Sequence, residues 1–120
     1  MKYDLVKEHI GGLKDMLKDG LIATSIFSQN GEVIIEYNAI KDSTIAYNNI
    51  TDYILKKFRD YKLLNIDKYM IFSLEDDKIL IIVPMYNYRW AMVVDSNIIK
   101  LGIVLNKIIP EIRTKFKEVI

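Results

Sequence analysis

Between Lys68 and Asp95 apolar residues run almost without a break, as KYMIFSLE, KILIIVPMY and YRWAMVVD. The turn-forming Asp76-Asp77 and Asn87 interrupt them at hairpin spacing, so the pattern predicts three consecutive β-strands joined by tight turns. Leu80, Ile82, Trp90 and Met92 lie where successive positions are all apolar. Strands of that kind are buried on both faces, which requires helices above and below the sheet.

Upstream, LIATSIFS and EVIIEYN flank Gln29-Asn30-Gly31, which predicts strands over residues 21–28 and 32–38 joined through a type I′ turn at Asn30 and Gly31. The second strand alternates Val33, Ile35 and Tyr37 with Glu32, Ile34 and Glu36, the pattern of a sheet edge.

Three segments carry helical periodicity. At ~100° per residue Leu5, Val6, His9, Ile10, Leu13, Met16 and Leu17 fall on one half of a wheel, interrupted by Gly11-Gly12, with Gly20 placed as the C-terminal cap. A second helix should start from a cap at Asp42 or Ser43 and run to about residue 60. Its apolar arc (Ala46, Tyr47, Ile50, Thr51, Ile54, Leu55, Phe58, Tyr61) is wider than a helix needs to sit on one sheet, so it should bury a second surface against a partner. A last helix should begin at Ser96 with a stripe of Ile98, Leu101, Leu105, Ile108, Ile109, Ile112, Phe116 and Val119, kinked at Pro110.

The predicted order is α-β-β-α-β-β-β-α: a single α+β domain over residues 1–120, with a five-stranded antiparallel sheet between helices. This order resembles the roadblock family, the dynein light-chain type of small domain. The resemblance covers nearly the whole chain. It rests on the Asn30-Gly31 hairpin, the small Ala46 early in the second helix and the Leu101-Gly102 pair opening the last. The bulky, polar Tyr47, Asn48, Asn49 and Tyr53 depart from the alanine-rich second helix common in that family. Longin and profilin domains share much of the architecture.

Composition changes this picture little. With 17 basic and 16 acidic residues the net charge is +1, so no overall field draws the chain to nucleic acid or an anionic membrane. The most apolar stretch, broken by Pro84, Asn87 and Arg89, is too interrupted to insert into a bilayer. No cysteine is present, which excludes disulfides, thiol nucleophiles and sulfur-ligated zinc, and fits a cytoplasmic setting.

The candidate chemistry is sparse. No phosphate-binding loop occurs, and the one histidine, His9, lies on an apolar helix face without the orienting partners of a general base. Glu75, Asp76 and Asp77 read as turn formers, not cation ligands, and Asn49-Ile50-Thr51 as a chance glycosylation match within a helix. Lys107, Arg113, Lys115 and Lys117, interspersed with Glu111 and Glu118, read as a solvated helix face. The expectation is therefore a non-enzymatic module with no cofactor and no metal.

What the resemblance implies is a homodimer that regulates or scaffolds a small Ras-like GTPase, or serves a motor or membrane-associated complex. The expected seam is the edge strand over 68–75, through Tyr69, Ile71 and Ser73, together with Tyr47, Thr51 and Leu55 of the second helix. A monomeric longin- or profilin-like adaptor is the alternative reading, and a small-molecule sensor domain the third.

Overall fold

A computed structural model describes all residues, Met1–Ile120. Helix α1 (Tyr3–Leu17) leads into a hairpin of β1 (Leu21–Ser28) and β2 (Val33–Tyr37), followed by α2 (Ser43–Asp60). The meander β3 (Met70–Ser73), β4 (Lys78–Met85) and β5 (Tyr88–Asp95) precedes a last helix, α3, over residues 101–116. All pairings are antiparallel, and the sheet order β2-β1-β5-β4-β3 puts β2 and β3 at the two edges. The predicted α+β architecture and order of elements hold.

The larger core lies where α1 and α3 cover one face of the sheet. Val6, Ile10, Leu13 and Leu17, at helical spacing on α1, pack with Ile26, Ile81, Val83, Trp90 and Met92 of the sheet and with Val104, Ile108, Ile109, Ile112 and Phe116 of α3. The Trp90 indole donates to the Thr24 hydroxyl (2.7 Å), which donates to the Ala91 carbonyl (2.8 Å), so these two polar groups are paired, whereas the buried Nδ1 of His9 on α1 has no partner. Trp90 and Phe116 have ring centroids 6.3 Å apart, and Tyr88 meets Phe116 edge to face at 5.8 Å. Leu80, Ile82, Trp90 and Met92 are all buried, as their runs predict.

Five local expectations are corrected. At the β1–β2 turn only Gly31 takes a positive φ (87°), and Ser28 and Gly31 close a three-residue connection. The Gly31 amide donates to the Ser28 carbonyl, the Ser28 amide to the Glu32 carbonyl, and Ser28 Oγ accepts from the amides of Asn30 and Glu32. A pair of left-handed residues occurs instead at Asp76 and Asp77 (φ 57° and 58°), residues that tolerate this region better than most.

Gly20 does not provide a left-handed cap. Lys18 takes the positive φ at the end of α1, and Gly20 makes room for Ile99, whose Cγ2 would lie 3.1 Å from an added Cβ. At α2, Asp42 occupies the N-cap but its side chain caps nothing; its carbonyl accepts from the Ala46 amide instead.

The last helix starts five residues late. The Asp95 carboxylate accepts from the Asn97 amide, and the Ser96 amide and hydroxyl both donate to the Asp77 carbonyl, so this segment is tied to the β3–β4 turn and not wound into helix. In place of a simple kink at Pro110, Val104–Ile108 adopts π register, with the Ile109 amide donating to the Val104 carbonyl. The pyrrolidine ring would clash with the Asn106 carbonyl in an α turn, and the wider turn relieves it. Val104 lies in the core, and Ile98, in the non-helical segment before α3, is exposed.

Candidate interaction surface

The opposite face of the sheet is built differently. Its buried apolar residues are Phe27, Met70, Leu80, Ile82 and Ala91, with Tyr47, Ile54, Ile66 and Phe72 half-buried around them. The innermost stripe of α2, at i, i+4, i+7 and i+11, reads Thr44, Asn48, Thr51 and Leu55, and its first three members are buried. Helical spacing thus turns polar residues toward the sheet. Arg89, 6% exposed, reaches up from β5 to meet them, pairing with the Asp52 carboxylate at 2.8 Å and donating to Asn48 Oδ1. Asn48 Nδ2 in turn donates to the Gln29 carbonyl (3.3 Å), so one guanidinium ties α2 both to the central sheet and to the β1–β2 turn.

Small side chains leave this contact loose near the start of α2. A cavity of about 80 Å³ lies between Ala23, Ser25, Ala91 and Val93 of the sheet and Ser43 and Tyr47 of the helix. Burial pushes the Tyr47 phenol pKa above its ordinary value. Of the predicted apolar arc Ile54, Leu55 and Phe58 are half-buried and Ile50 is exposed, and Ile45 and Tyr53, outside the arc, are exposed as well. The connection that follows exposes Tyr61, Leu63 and, at 92%, Leu64.

The β3 edge completes the surface. Leu74 donates its amide to the Lys78 carbonyl, and bonding alternates along an antiparallel strand, so Met70 and Phe72 face the β4 ladder and the N–H and C=O groups of Ile71 and Ser73 point away from the sheet. Ile71 itself is 38% exposed. The strand is four residues long, shorter than the eight its apolar run suggests.

The six residues expected at a seam divide into three groups. Ile71 and Ser73 carry the open edge. Tyr47 and Leu55 are half-buried on α2, and Thr51 is fully buried, its hydroxyl donating to the Tyr47 carbonyl at 2.7 Å. Tyr69 packs against the α1/α3 core, on the other face of the sheet from α2. The pattern marks Arg89 only as a break in an apolar stretch and Asn48 only as a polar residue of the second helix, and it does not mark Asp52 at all. The available signal was an arginine interrupting an otherwise apolar strand, facing a helix whose inner stripe is polar.

No family sequence model matches the chain, and no curated protein sequence does. Solved structures do. Myxococcus xanthus MglB superposes with a TM-score of 0.69 at 12% identity, over 93% of this chain and 94% of that one. A roadblock/LC7 domain from Streptomyces avermitilis gives 0.62 at 10% identity, over 82% and 84%. LokiProfilin1, solved in complex with rabbit actin, gives 0.63 at 14% identity, over 100% and 98%. One MglB structure is described as a tetrameric arrangement. At these identities the likeness concerns the fold, and the fold of this chain is that of the MglB and roadblock structures, with profilin as a further neighbour.

Proposed function

We propose that the chain is a non-catalytic interaction module that forms a homodimer through the β3 edge and the exposed side of α2, and that the dimer serves as a regulator or scaffold for a small Ras-like GTPase. The observation that carries the reading is the β3 edge, where the outward amides and carbonyls of Ile71 and Ser73 lie on an exposed, largely apolar strand. Edges of this kind are usually blunted by charge, proline or a covering loop. A second copy in antiparallel register satisfies those groups and extends the sheet across a two-fold axis. The uncovered Ile50, Tyr53 and Tyr61 then have a surface to meet. The GTPase assignment rests on the roadblock resemblance together with the likeness to MglB.

The test is Ile71→Pro. It removes an outward donor while leaving the β4 ladder its own donors at Met70 and Phe72. Light scattering should find the wild type at about 28 kDa, twice the 14.0 kDa chain, and the variant at the monomer mass with an unchanged far-UV spectrum. The variant should also fail to capture a small GTPase that the wild type recovers. A wild type that is monomeric at high micromolar concentration would overturn the dimer. The reading favoured by the full-length likeness to LokiProfilin1, a monomeric adaptor, would then take its place.

A further inference from the structure

A second concavity lies on the other face of the molecule, away from α2. It has a volume of about 670 Å³, within the range of pockets that hold small ligands, and it opens between the start of β3, the β4–β5 turn and the flank of α3 around the π turn. Met85 and Ile109, both buried, belong to its apolar floor with the half-buried Leu105. Its charged lining is Lys68, Arg113 and Lys117, and neither an aspartate nor a glutamate lines it. The whole chain carries a net charge of only +1, so three cations without an acid are a local concentration of charge.

The central cation is held in place. Arg113 Nη1 donates to the Lys68 carbonyl and to the Pro84 carbonyl, each at 3.2 Å, and no carboxylate pairs with the guanidinium. Its Nε and Nη2 donors make no hydrogen bond to the protein. Glu111, two residues away on the helix, is engaged by Lys115 at 3.0 Å. A fixed, half-buried guanidinium with a free donor edge is preorganised for an oxyanion.

Two backbone features frame the same concavity. The π turn Val104–Ile108 contributes Leu105 and Asn106 to the lining, and such turns recur at functional sites. Tyr86, in the β4–β5 turn, holds φ at +59° although it is a bulky residue, and its side chain is 65% exposed at the rim. Residues kept in this region at a cost cluster where ligands bind.

We propose that this groove binds a phosphomonoester carried on an apolar or aromatic group. Arg113 and the two lysines neutralise the phosphate, Asn106 and Tyr86 supply further donors, and Met85, Leu105 and Ile109 receive the apolar part; the Thr114 hydroxyl, which lines the groove, already donates to the Pro110 carbonyl (3.0 Å). Phosphate matches better than a single carboxylate, because at neutral pH it carries a charge of about −1.5 to −2 and presents three acceptor oxygens to several donors at once. Lys68 and Tyr69 lie both in the groove and at the start of the β3 edge, so the titration is run on the wild type and on Ile71→Pro, and binding is expected in both.

The experiment is a calorimetric titration of the full chain with phenyl phosphate, paired with amide shift mapping. Saturable binding with shifts at Asn106, Thr114 and Tyr86 is expected. Arg113→Gln should weaken it by about tenfold or more, since the guanidinium makes charge-assisted bonds to the phosphate. Because Arg113 also bonds two carbonyls, the exposed Lys117→Gln provides the variant whose fold is not at risk; it should weaken binding several-fold, whereas Lys100→Gln, outside the groove, should not. Vesicles of phosphatidylcholine with and without phosphatidic acid separate the sources of the phosphate. Retention that needs phosphatidic acid and Lys117 places it on a lipid, and phenyl phosphate binding without retention places it on a free metabolite. Three results overturn the proposal: neither phenyl phosphate nor phosphatidic acid binds; benzoate or an acidic peptide binds as tightly as phenyl phosphate; or Lys117→Gln and Arg113→Gln both leave affinity unchanged.

Discussion

The two faces of the sheet are held by different physics. Between α1, α3 and the sheet, eighteen buried apolar residues form one continuous cluster, stabilised by removal of area from water. Under α2 the corresponding cluster has five, and the helix is positioned by directional bonds from Arg89 through Asn48 to the Gln29 carbonyl and to Asp52. The dry core acts through non-directional burial, whereas the buried guanidinium fixes the register of the helix above it through directional bonds. Polar residues take the inner stripe of α2, and apolar Ile45, Ile50 and Tyr53 are left outside. In the proposed dimer this arrangement frees the second helix for recognition while the first face carries the stability.

The comparison breaks most decisively at Phe116. Its ring is fully buried and meets both Trp90 and Tyr88, so Phe116→Ala removes the largest contribution of α3 to the core and leaves a cavity beside the indole. The expected loss is about 3–5 kcal/mol by chemical denaturation, a large share of the stability of a domain this size. A loss as small as that of the α2-side substitution described next would mean that the two faces contribute alike.

On the α2 side the test is Arg89→Met, which keeps most of the side-chain stem and removes the charge. Breaking a wholly buried pair costs about 3–5 kcal/mol, but the Asp52 carboxylate is 53% exposed and can return to water, so about 2 kcal/mol is expected. Hydrogen exchange should accelerate along α2 while α1 stays protected. A melting temperature at or above that of the wild type would show that packing of the stem, and not the guanidinium, holds the helix.

This asymmetry also decides what could be read in advance. Elements whose signal is periodic apolar burial were legible: β4 and β5 from unbroken runs, α1 from Val6, Ile10, Leu13 and Leu17, and the order of all eight elements. Features set by competition among polar groups were not. The start of α3 depended on Asp95 and Asp77 claiming the donors of Ser96 and Asn97, and the β1–β2 turn depended on Ser28 Oγ, neither of which alters hydropathy. The π turn followed from Pro110 but shifted the buried stripe by an amount that a wheel drawn at a constant angle cannot represent. For the candidate surface, Ile71 and Ser73 were legible because an apolar edge strand is conspicuous. The Arg89 clamp was hidden because its partners on α2 are ordinary helix-surface residues when viewed alone.

The smallest expected effect lies where the clamp meets the β1–β2 turn. Gly31 sits at φ 87°, and an added Cβ would lie 3.8 Å from Asn48 Nδ2, an ordinary contact. Strain and not space therefore governs Gly31→Val. A β-branched residue is a poor fit at positive φ, and the cost should exceed about 1 kcal/mol. The turn is closed by the Gly31 amide on the Ser28 carbonyl and the Ser28 amide on the Glu32 carbonyl, so relaxing φ at Gly31 weakens both bonds and displaces the Gln29 carbonyl that receives Asn48. Hydrogen exchange should rise over β2 and the start of α2 and leave the α1/α3 core unchanged. Uniform acceleration through both faces would mean that the turn is coupled to the whole fold, and an unchanged melting temperature would show that Gly31 is not required at this position.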